Sequence, residues 1–374
     1  DTGDLLNVTT LDAAFSASLI INGGTATTDN VQLTNVDLDT GNAGRGLYVT
    51  ETETLGITGG TISNNTAAIG GGILIDNSTS GTNTTATISG ATISNNTATA
   101  ATATDGGGGV YNNGALLTID GNTMITGNAA TGAAGSGGGV FSLTPGTLTV
   151  NGATVSGNSA NRAGGGIELN AIAGETYTFT NITLDGNSIT TPNPGNGGGL
   201  HITGPGDVIF NGGSATNNTA NEGGGLWNHN GTMTVNGMTI TGNSALGPNT
   251  GGGGIFNLGG GTLSVDAATN LSGNRAMGAT PGGRGGAIFN NTGGTLLLAS
   301  GITISGNYAS RAGGAIEDTS GNTLLLDGVS LLGNSAGVDI GLGTMANPGN
   351  GGALHLSGAT NATVSSFSNI NNNM

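Results

Sequence analysis

The chain contains no cysteine and no lysine, and its five arginines stand against 21 acidic residues. The absence of cysteine excludes disulfides, thiolate metal sites and cysteine nucleophiles. With a formal net charge of -16, the chain should be repelled by nucleic acid and by anionic membranes. No apolar run is long enough to span a bilayer. The chain starts at Asp1 without a signal-like segment, so we interpret it as a processed mature chain or a trimmed one.

Aromatic residues are also scarce, with one Trp, four Tyr and seven Phe, whereas glycine accounts for 78 of 374 residues. Glycine at this level can indicate disorder. Here the glycines are periodic, and the segments between them alternate between apolar and polar residues. This pattern indicates a folded repeat protein.

One unit recurs eleven times: a glycine pair, an apolar residue, a β pattern and a closing asparagine. The apolar residue and the asparagine are 17 to 23 residues apart, whereas the next apolar residue follows after 8 to 20. One corner therefore absorbs the insertions, which is typical of a solenoid. Two units depart from the pattern, at Arg45 and at Ala215. The closing asparagines are Asn65, Asn96, Asn128, Asn158, Asn187, Asn218, Asn243, Asn274, Asn307, Asn334 and Asn373.

The shortest complete unit, residues 223–244, contains three short β runs separated by Asn-Gly pairs. Each run alternates, so one side of each strand should face a core. We predict an all-β fold, a right-handed parallel β-helix of about eleven coils, with equivalent strands stacked about 4.8 Å apart. The predicted core columns are Ile73, Val110, Val140 and Ile167; Leu148, Met233, Leu263, Leu296 and Leu324; and Ile62, Ile93, Ile125, Val155, Leu184, Ile240, Leu271, Ile304 and Leu331.

The closing asparagines are predicted to form an internal ladder, in which each side-chain amide bonds the equivalent amide one coil away. The alternative is N-glycosylation, because Asn-x-Ser/Thr occurs at Asn64, Asn95 and Asn181. In a chain rich in Thr and Asn, this triplet also arises from composition alone.

Units of the form GGGI…TLTV…TISGNTA resemble those of right-handed parallel β-helix repeat proteins of bacterial surfaces. This group includes the polymorphic outer-membrane proteins, with their Gly-Gly-Ala-Ile motif. That motif occurs here at residues 285–288 and 313–316, and the resemblance covers residues 44–374. It implies the β-helix fold and an extracellular or cell-surface location, but no particular activity.

The residue after the first core position is predicted to point outward and to form a stripe along the coils. An exposed aromatic stripe would suggest a partner: another copy of the rod, or a glycan stacking on the rings. The alternative is that the variable loops cover it. The stripe positions are Tyr48, Leu74, Tyr111, Phe141, Glu168, His201, Trp227, Phe256, Phe289, Glu317 and His355.

Only two groupings on the stripe suggest chemistry: Glu168 with His201, and Glu317 and Asp318 with His355. Glu317 and Asp318 are adjacent on a strand and should face opposite sides, so they form no catalytic pair. Arg162 and Arg311 each precede a stripe glutamate by six residues, which suggests local ion pairing. We therefore expect no enzyme activity, cofactor or resident metal. A cation remains an alternative at residues 1–4, or among Asp37, Asp39, Glu51 and Glu53.

The third strand of each unit presents Thr and Ser outward in register. An array of this kind resembles the faces of ice-binding solenoids, although Thr is also a good exposed strand residue. Asp185, Asn270 and Leu332 interrupt it. The pairs are Thr61 and Ser63, Thr92 and Ser94, Thr154 and Ser156, Thr239 and Thr241, and Thr303 and Ser305.

The ends of a solenoid leave strand edges unpaired unless they are capped. Residues 1–43 are predicted to be an irregular or capping segment with a first coil, with possible extra strands at residues 5–9 and 19–21. Residues 44–374 form the repeats. We expect an extracellular structural or adhesive rod that assembles head to tail, with possible lateral contacts. The alternatives are a carbohydrate-binding or carbohydrate-cleaving β-helix that uses the stripe, and an ice-binding one.

Overall fold

The computed structural model describes residues 5–9, 12–14, 19–22, 30–34, 36–42, 44–50, 54–77, 84–191, 194–266, 268–279, 282–337, 349–358, 361–365 and 368–374. Within these residues the fold is all-β, and its strands stack in parallel as a β-solenoid. From residue 54 to residue 356, each turn of the chain visits sheets A, B, D and C in that order, while the earlier turns have described strands only in sheets A, B and C. The predicted parallel β-helix is therefore confirmed, while its right-handed sense stays a prediction.

Sheet A contains 13 strands, most of them five residues long. From Asn30–Thr34 to Thr323–Leu326, their second and fourth side chains point into the core, as the alternating sequence predicts, whereas the four residues of the last strand are exposed. The strands are Leu5–Thr9, Asn30–Thr34, Thr54–Thr58, Thr85–Ser89, Leu116–Asp120, Thr147–Asn151, Thr176–Thr180, Asp207–Asn211, Thr232–Asn236, Thr262–Asp266, Thr295–Leu298, Thr323–Leu326 and Asn361–Val364.

Sheet B also contains 13 strands, each three residues long, and buries the middle residue of nearly every strand whose side chains are described. The last strand is the exception, since its three residues are exposed. The strands are Asp12–Ala14, Asp37–Asp39, Thr61–Ser63, Thr92–Ser94, Met124–Thr126, Thr154–Ser156, Thr183–Asp185, Ser214–Thr216, Thr239–Thr241, Asn270–Ser272, Thr303–Ser305, Ser330–Leu332 and Asn369–Asn371.

Sheet C contains 12 strands, and most of them begin directly after a Gly-Gly or Gly-Ala pair. Two residues before the strand, glycine is favoured, because a Cβ on Gly198 would approach the carbonyl oxygen of Gly224 to 2.4 Å. The strands are Leu19–Asn22, Leu47–Thr50, Ile73–Asp76, Val110–Asn113, Val140–Leu143, Ile167–Asn170, Leu200–Thr203, Leu226–Asn228, Ile255–Asn257, Ile288–Asn290, Ile316–Asp318 and Leu354–Leu356.

Sheet D was not predicted, because its ten strands are only two residues long. Each strand follows two residues after a strand of sheet B, whereas the segment from sheet D to sheet C varies from 5 to 17 residues. The prediction that one corner absorbs the insertions is thus confirmed. The strands are Thr66–Ala67, Thr97–Ala98, Ala129–Ala130, Ser159–Ala160, Ser188–Ile189, Thr219–Ala220, Ser244–Ala245, Arg275–Ala276, Tyr308–Ala309 and Ser335–Ala336.

The N-terminal segment contributes strands to the same sheets. The predicted extra strands are present as Leu5–Thr9, which pairs with Asn30–Thr34, and Leu19–Asn22, which pairs with Leu47–Thr50. The sheets therefore run across residue 43 without interruption.

One continuous hydrophobic core fills the solenoid from Ile21 to Ala353. All residues of the three predicted columns belong to it and are buried. Equivalent residues stack coil on coil, as in the pairing of Ile255 with Ile288. A single coil cannot bury its apolar face alone, so stability depends on the stack.

Candidate functional site

The predicted asparagine ladder is present along the corner between sheets B and D. Asn243 shows its geometry: Nδ2 donates to Oδ1 of Asn274 at 2.9 Å and to the carbonyl oxygen of Ala215 at 2.8 Å. Its Oδ1 accepts from both the backbone N–H and Nδ2 of Asn218, each at 2.9 Å. The same bonds link successive members from Asn65 to Asn373. From Asn65 to Asn334, every donor and acceptor of a ladder amide is thereby satisfied in a site closed to water, while Asn373 is partly exposed.

The residue before each ladder asparagine adopts a left-handed backbone, which favours Asn or Gly. Asn64 and Asn95 both have φ of 54°, and Gly127 has φ of 65°. Thr66 and Thr97 then start strands of sheet D. The glycosylation triplets at Asn64 and Asn95 therefore follow from the geometry of this corner. Glycosylation itself stays an untested alternative.

A second polar ladder lies at the corner between sheets C and A, and sequence reasoning missed it. Asn228 Nδ2 donates to Oδ1 of Asn257, and Asn257 Nδ2 to Oδ1 of Asn290, both at 2.8 Å. Asn290 Nδ2 then donates to Oδ2 of Asp318 at 2.7 Å. Asn112 holds the same position further up the stack and bonds Ser142. The available signal was an Asn or Asp directly after a stripe residue.

The prediction that the stripe is exposed is wrong for most of its members. Phe141 is only 1% exposed and Trp227 only 3%. The segments that lead from sheet D to sheet C cross over the stripe and bond to it. Tyr111 Oη donates to the carbonyl oxygen of Thr104 at 2.7 Å, and Trp227 Nε1 donates to Oε2 of Glu222 at 3.2 Å. The buried members are Leu74, Tyr111, Phe141, Glu168, His201, Trp227, Phe256, Phe289 and Glu317, while Tyr48 and His355 are half-buried.

Beneath these segments the stripe forms two small hydrophobic clusters outside the main core. The first contains Leu74, Tyr111 and Phe141, with the rings of Tyr111 and Phe141 edge to face at 5.1 Å. The second contains Trp227, Phe256 and Phe289. The rings of Trp227 and Phe256 are parallel, with centroids 5.8 Å apart. Such pairs stabilise the covering layer beyond their buried area alone.

A buried glutamate–histidine pair separates the two clusters. His201 Nδ1 lies 2.8 Å from Oε2 of Glu168, whose other oxygen accepts from the Thr203 hydroxyl at 2.9 Å. Arg162 approaches the same carboxylate at 3.8 Å, so the predicted ion pair of Arg162 with Glu168 is confirmed. The glutamate is 1% exposed and the histidine 3%. All partners of this carboxylate are internal, which suits a structural ion pair rather than a site open to substrate.

The second pair repeats this arrangement near the last coil. His355 Nδ1 lies 2.6 Å from Oε2 of Glu317, and Ser357 donates to Oε1 at 3.2 Å. Burial raises the pKa of Glu317, while the neighbouring His355 and Arg284 oppose that rise. Glu317 and Asp318 face opposite sides of their strand, as predicted, since Asp318 bonds Asn290 and Ser320 instead.

The candidate cation positions divide between described and undescribed residues. Asp37 accepts the backbone N–H of Thr61 at 2.7 Å, and Asp39 accepts from Gly41 and Asn64 at 2.8 Å each. Their carboxylates are thus engaged in turns. Residues 1–4, Glu51 and Glu53 lie outside the described residues. Across the described part of the chain, no group of three His, Cys, Asp or Glu side chains could hold a metal ion.

Comparison with known proteins found no match among family models, curated proteins or solved structures. Among the described residues, no helix is long and apolar enough to cross a membrane.

Proposed function

We propose that this chain is an extracellular structural or adhesive rod without enzyme activity. The observation that supports this function best is the unbroken asparagine ladder from Asn65 to Asn373, which ties every repeat to the next. Thirteen strands stacked at about 4.8 Å give a rod on the order of 60 Å long. The internal amide ladder and the continuous core together resist bending and slippage between coils.

The burial of the stripe argues against the glycan-binding alternative in its predicted form. A sugar ring stacks on an aromatic face that is open to solvent, and the faces of Phe256 and Phe289 are covered. The carboxylates of the two glutamate–histidine pairs are likewise engaged by internal bonds. We therefore expect the rod to contact any partner through the outward side chains of its strands and corners.

We further propose that the rod extends by end-to-end stacking of copies. Val364 and Ile370 occupy core columns, in register with the buried Leu326 and Leu331. They are nevertheless 50% and 49% exposed, because no described coil covers them. One more coil, contributed by the first strands of a second copy, would bury both side chains and pair the last strand of each sheet.

Electron microscopy of the purified chain tests this proposal. We expect unbranched filaments with an axial repeat of roughly 60 Å, set by the stacking of coils. Deleting residues 1–18 should stop the growth while leaving the remaining coils folded. Ile370→Asp should stop it as well, whereas Asn369→Asp, which changes an outward residue of the same strand, should not. Filaments that persist in the deletion and in Ile370→Asp would contradict the end-to-end model, and short single rods would limit the function to a monomeric stalk.

A further inference from the structure

The outward face of sheet B is an almost uninterrupted array of hydroxyl side chains over ten successive coils. Of the twenty outward positions between Thr61 and Leu332, sixteen are Thr or Ser. The array is more complete than the sequence indicated, because Thr126, Thr183, Ser214 and Thr216 continue it. The positions form two parallel columns, one on each side of the buried middle residue. The four exceptions are Met124, Asp185, Asn270 and Leu332.

The corners on both sides of this face are short. The corner from sheet B to sheet D is always two residues, and the corner from sheet A to sheet B is two to four. The long insertions lie between sheets D and C, over the stripe. In sheet A, by contrast, Asp207, Ile209 and Leu297 interrupt the outward row of hydroxyl side chains. In sheet C, the outward stripe is covered by the segments that lead from sheet D to sheet C. Among the described residues, sheet B thus carries the most regular outward array of hydroxyl side chains.

The hydroxyls of this face are largely free to bond outward. Among the described residues, the hydroxyls of Thr92, Thr154 and Thr303 have no partner within the chain. A threonine hydroxyl offers one donor and two acceptor lone pairs, and its methyl group lies beside them. Asp185 is the only charged residue among these twenty outward positions of sheet B, and its Oδ1 already accepts from Thr216 at 2.6 Å and from Asn217 at 3.0 Å.

The spacing of the columns decides which partner fits. Equivalent hydroxyls on successive coils are about 4.8 Å apart, the separation of neighbouring strands. In a tetrahedral water network, two hydrogen bonds of about 2.8 Å meeting at one oxygen place the outer oxygens about 4.6 Å apart. A column of hydroxyls therefore falls close to the second-neighbour spacing of ordered water. Charged side chains would reorient the neighbouring water molecules around themselves. A neutral face leaves the ordered arrangement of water undisturbed.

We propose that the sheet B face orders a layer of water in a lattice-like arrangement and thereby binds the surface of ice. This activity is separate from the structural role of the rod, because it uses only outward side chains of one sheet. It requires the regular stack, since the columns exist only if successive coils keep one spacing.

The test measures thermal hysteresis and the inhibition of ice recrystallisation by the purified chain. The disrupting variant is Thr154→Tyr with Thr239→Tyr, which raises two bulky side chains from the face. The matched control is Thr149→Tyr with Thr234→Tyr, because these threonines point outward from sheet A on the same two coils. Circular dichroism melts of all three proteins check that the coils stay folded.

We expect activity in the parent and in the sheet A control, and its loss in the sheet B variant. An inactive parent would overturn the proposal, and so would an equal loss in both variants. If the parent forms side-by-side dimers that only the sheet B variant abolishes, and shows no effect on ice, then the face binds a second copy instead and the proposal is wrong.

Discussion

The side-chain amide of Asn290 donates to Oδ2 of Asp318 at 2.7 Å, so the second polar ladder ends at a carboxylate. Oδ1 of Asp318 accepts from the backbone N–H of Ser320 at 3.0 Å and from its hydroxyl at 2.7 Å. The next coil places Leu356 in register with Asp318. A carboxylate only accepts, so it suits a position where Asn290 donates to one oxygen and Ser320 donates to the other.

Asp318→Asn should therefore destabilise the rod. The NH2 group of the new amide must face either the Asn290 donor or the Ser320 donors, so two donors oppose each other. A buried donor left without an acceptor costs about 1–3 kcal/mol. Chemical denaturation at neutral pH measures the change in midpoint. Asp327→Asn removes the same charge at an exposed site and is the control. Equal midpoints for the two variants would mean that the ladder does not need its carboxylate.

Removing one amide from the main ladder should cost more. Asn243→Ala removes the acceptor of the Asn218 backbone N–H and a donor to the carbonyl oxygen of Ala215, while Asn274 Oδ1 keeps only the backbone N–H at that position. At about 1–3 kcal/mol for each buried group, the loss is several kcal/mol. The measurement is the unfolding midpoint in denaturant.

Asn230→Ala is the control for the ladder variant, since Asn230 is exposed on the same coil. Its effect should stay within about 0.5 kcal/mol. A ladder variant as mild as this control would show that the core alone holds the coils together.

The coil pattern was visible in the sequence because each rule repeats in nearly every unit. The alternation in Thr232–Asn236 shows which residues enter the core, and the recurrent Asn243 position marks a corner. Alternation also places Phe256 correctly on the outer side of its strand. It carries no information on whether a further layer covers that side.

The covering segments themselves lack a readable pattern. They differ in length and are rich in Gly, Ala and Thr, so neither periodicity nor composition shows that they pack on Trp227 or Phe256. The second ladder escaped notice for a related reason. It occupies only some coils, and in a chain rich in asparagine Asn228 and Asn257 look like turn residues.

The burial of the stripe makes a direct prediction for Phe256. Phe256→Ala should destabilise the rod by about 3–5 kcal/mol, the usual cost of emptying a buried aromatic site. Met124→Ala is the control, because Met124 is an apolar strand residue that is 46% exposed. Its effect should be small. If both variants unfold at the same denaturant concentration, the covering segments do not pack on the ring and the stripe is open to solvent.

Trp227, the only tryptophan of the chain, donates a hydrogen bond to the carboxyl group of Glu222. Burial raises the pKa of Glu222, and the hydrogen bond from Trp227 Nε1 and the nearby His201 oppose that rise. A raised pKa means that the folded state favours the protonated carboxyl. The resulting stabilisation is present below the ordinary value of 4.5 and is lost as the pH rises through the folded pKa.

The free energy of unfolding should therefore contain a contribution from Glu222 that falls as the pH rises above 4.5. Glu222→Gln should remove this pH-dependent contribution. Trp227 fluorescence, followed during denaturation at each pH, measures both the unfolding midpoint and the local environment of the indole. Asp327→Asn matches the change in charge at an exposed site and should leave the component in place. The assignment fails if Glu222→Gln keeps the parent's pH dependence, because the titrating group would then lie elsewhere in the stack.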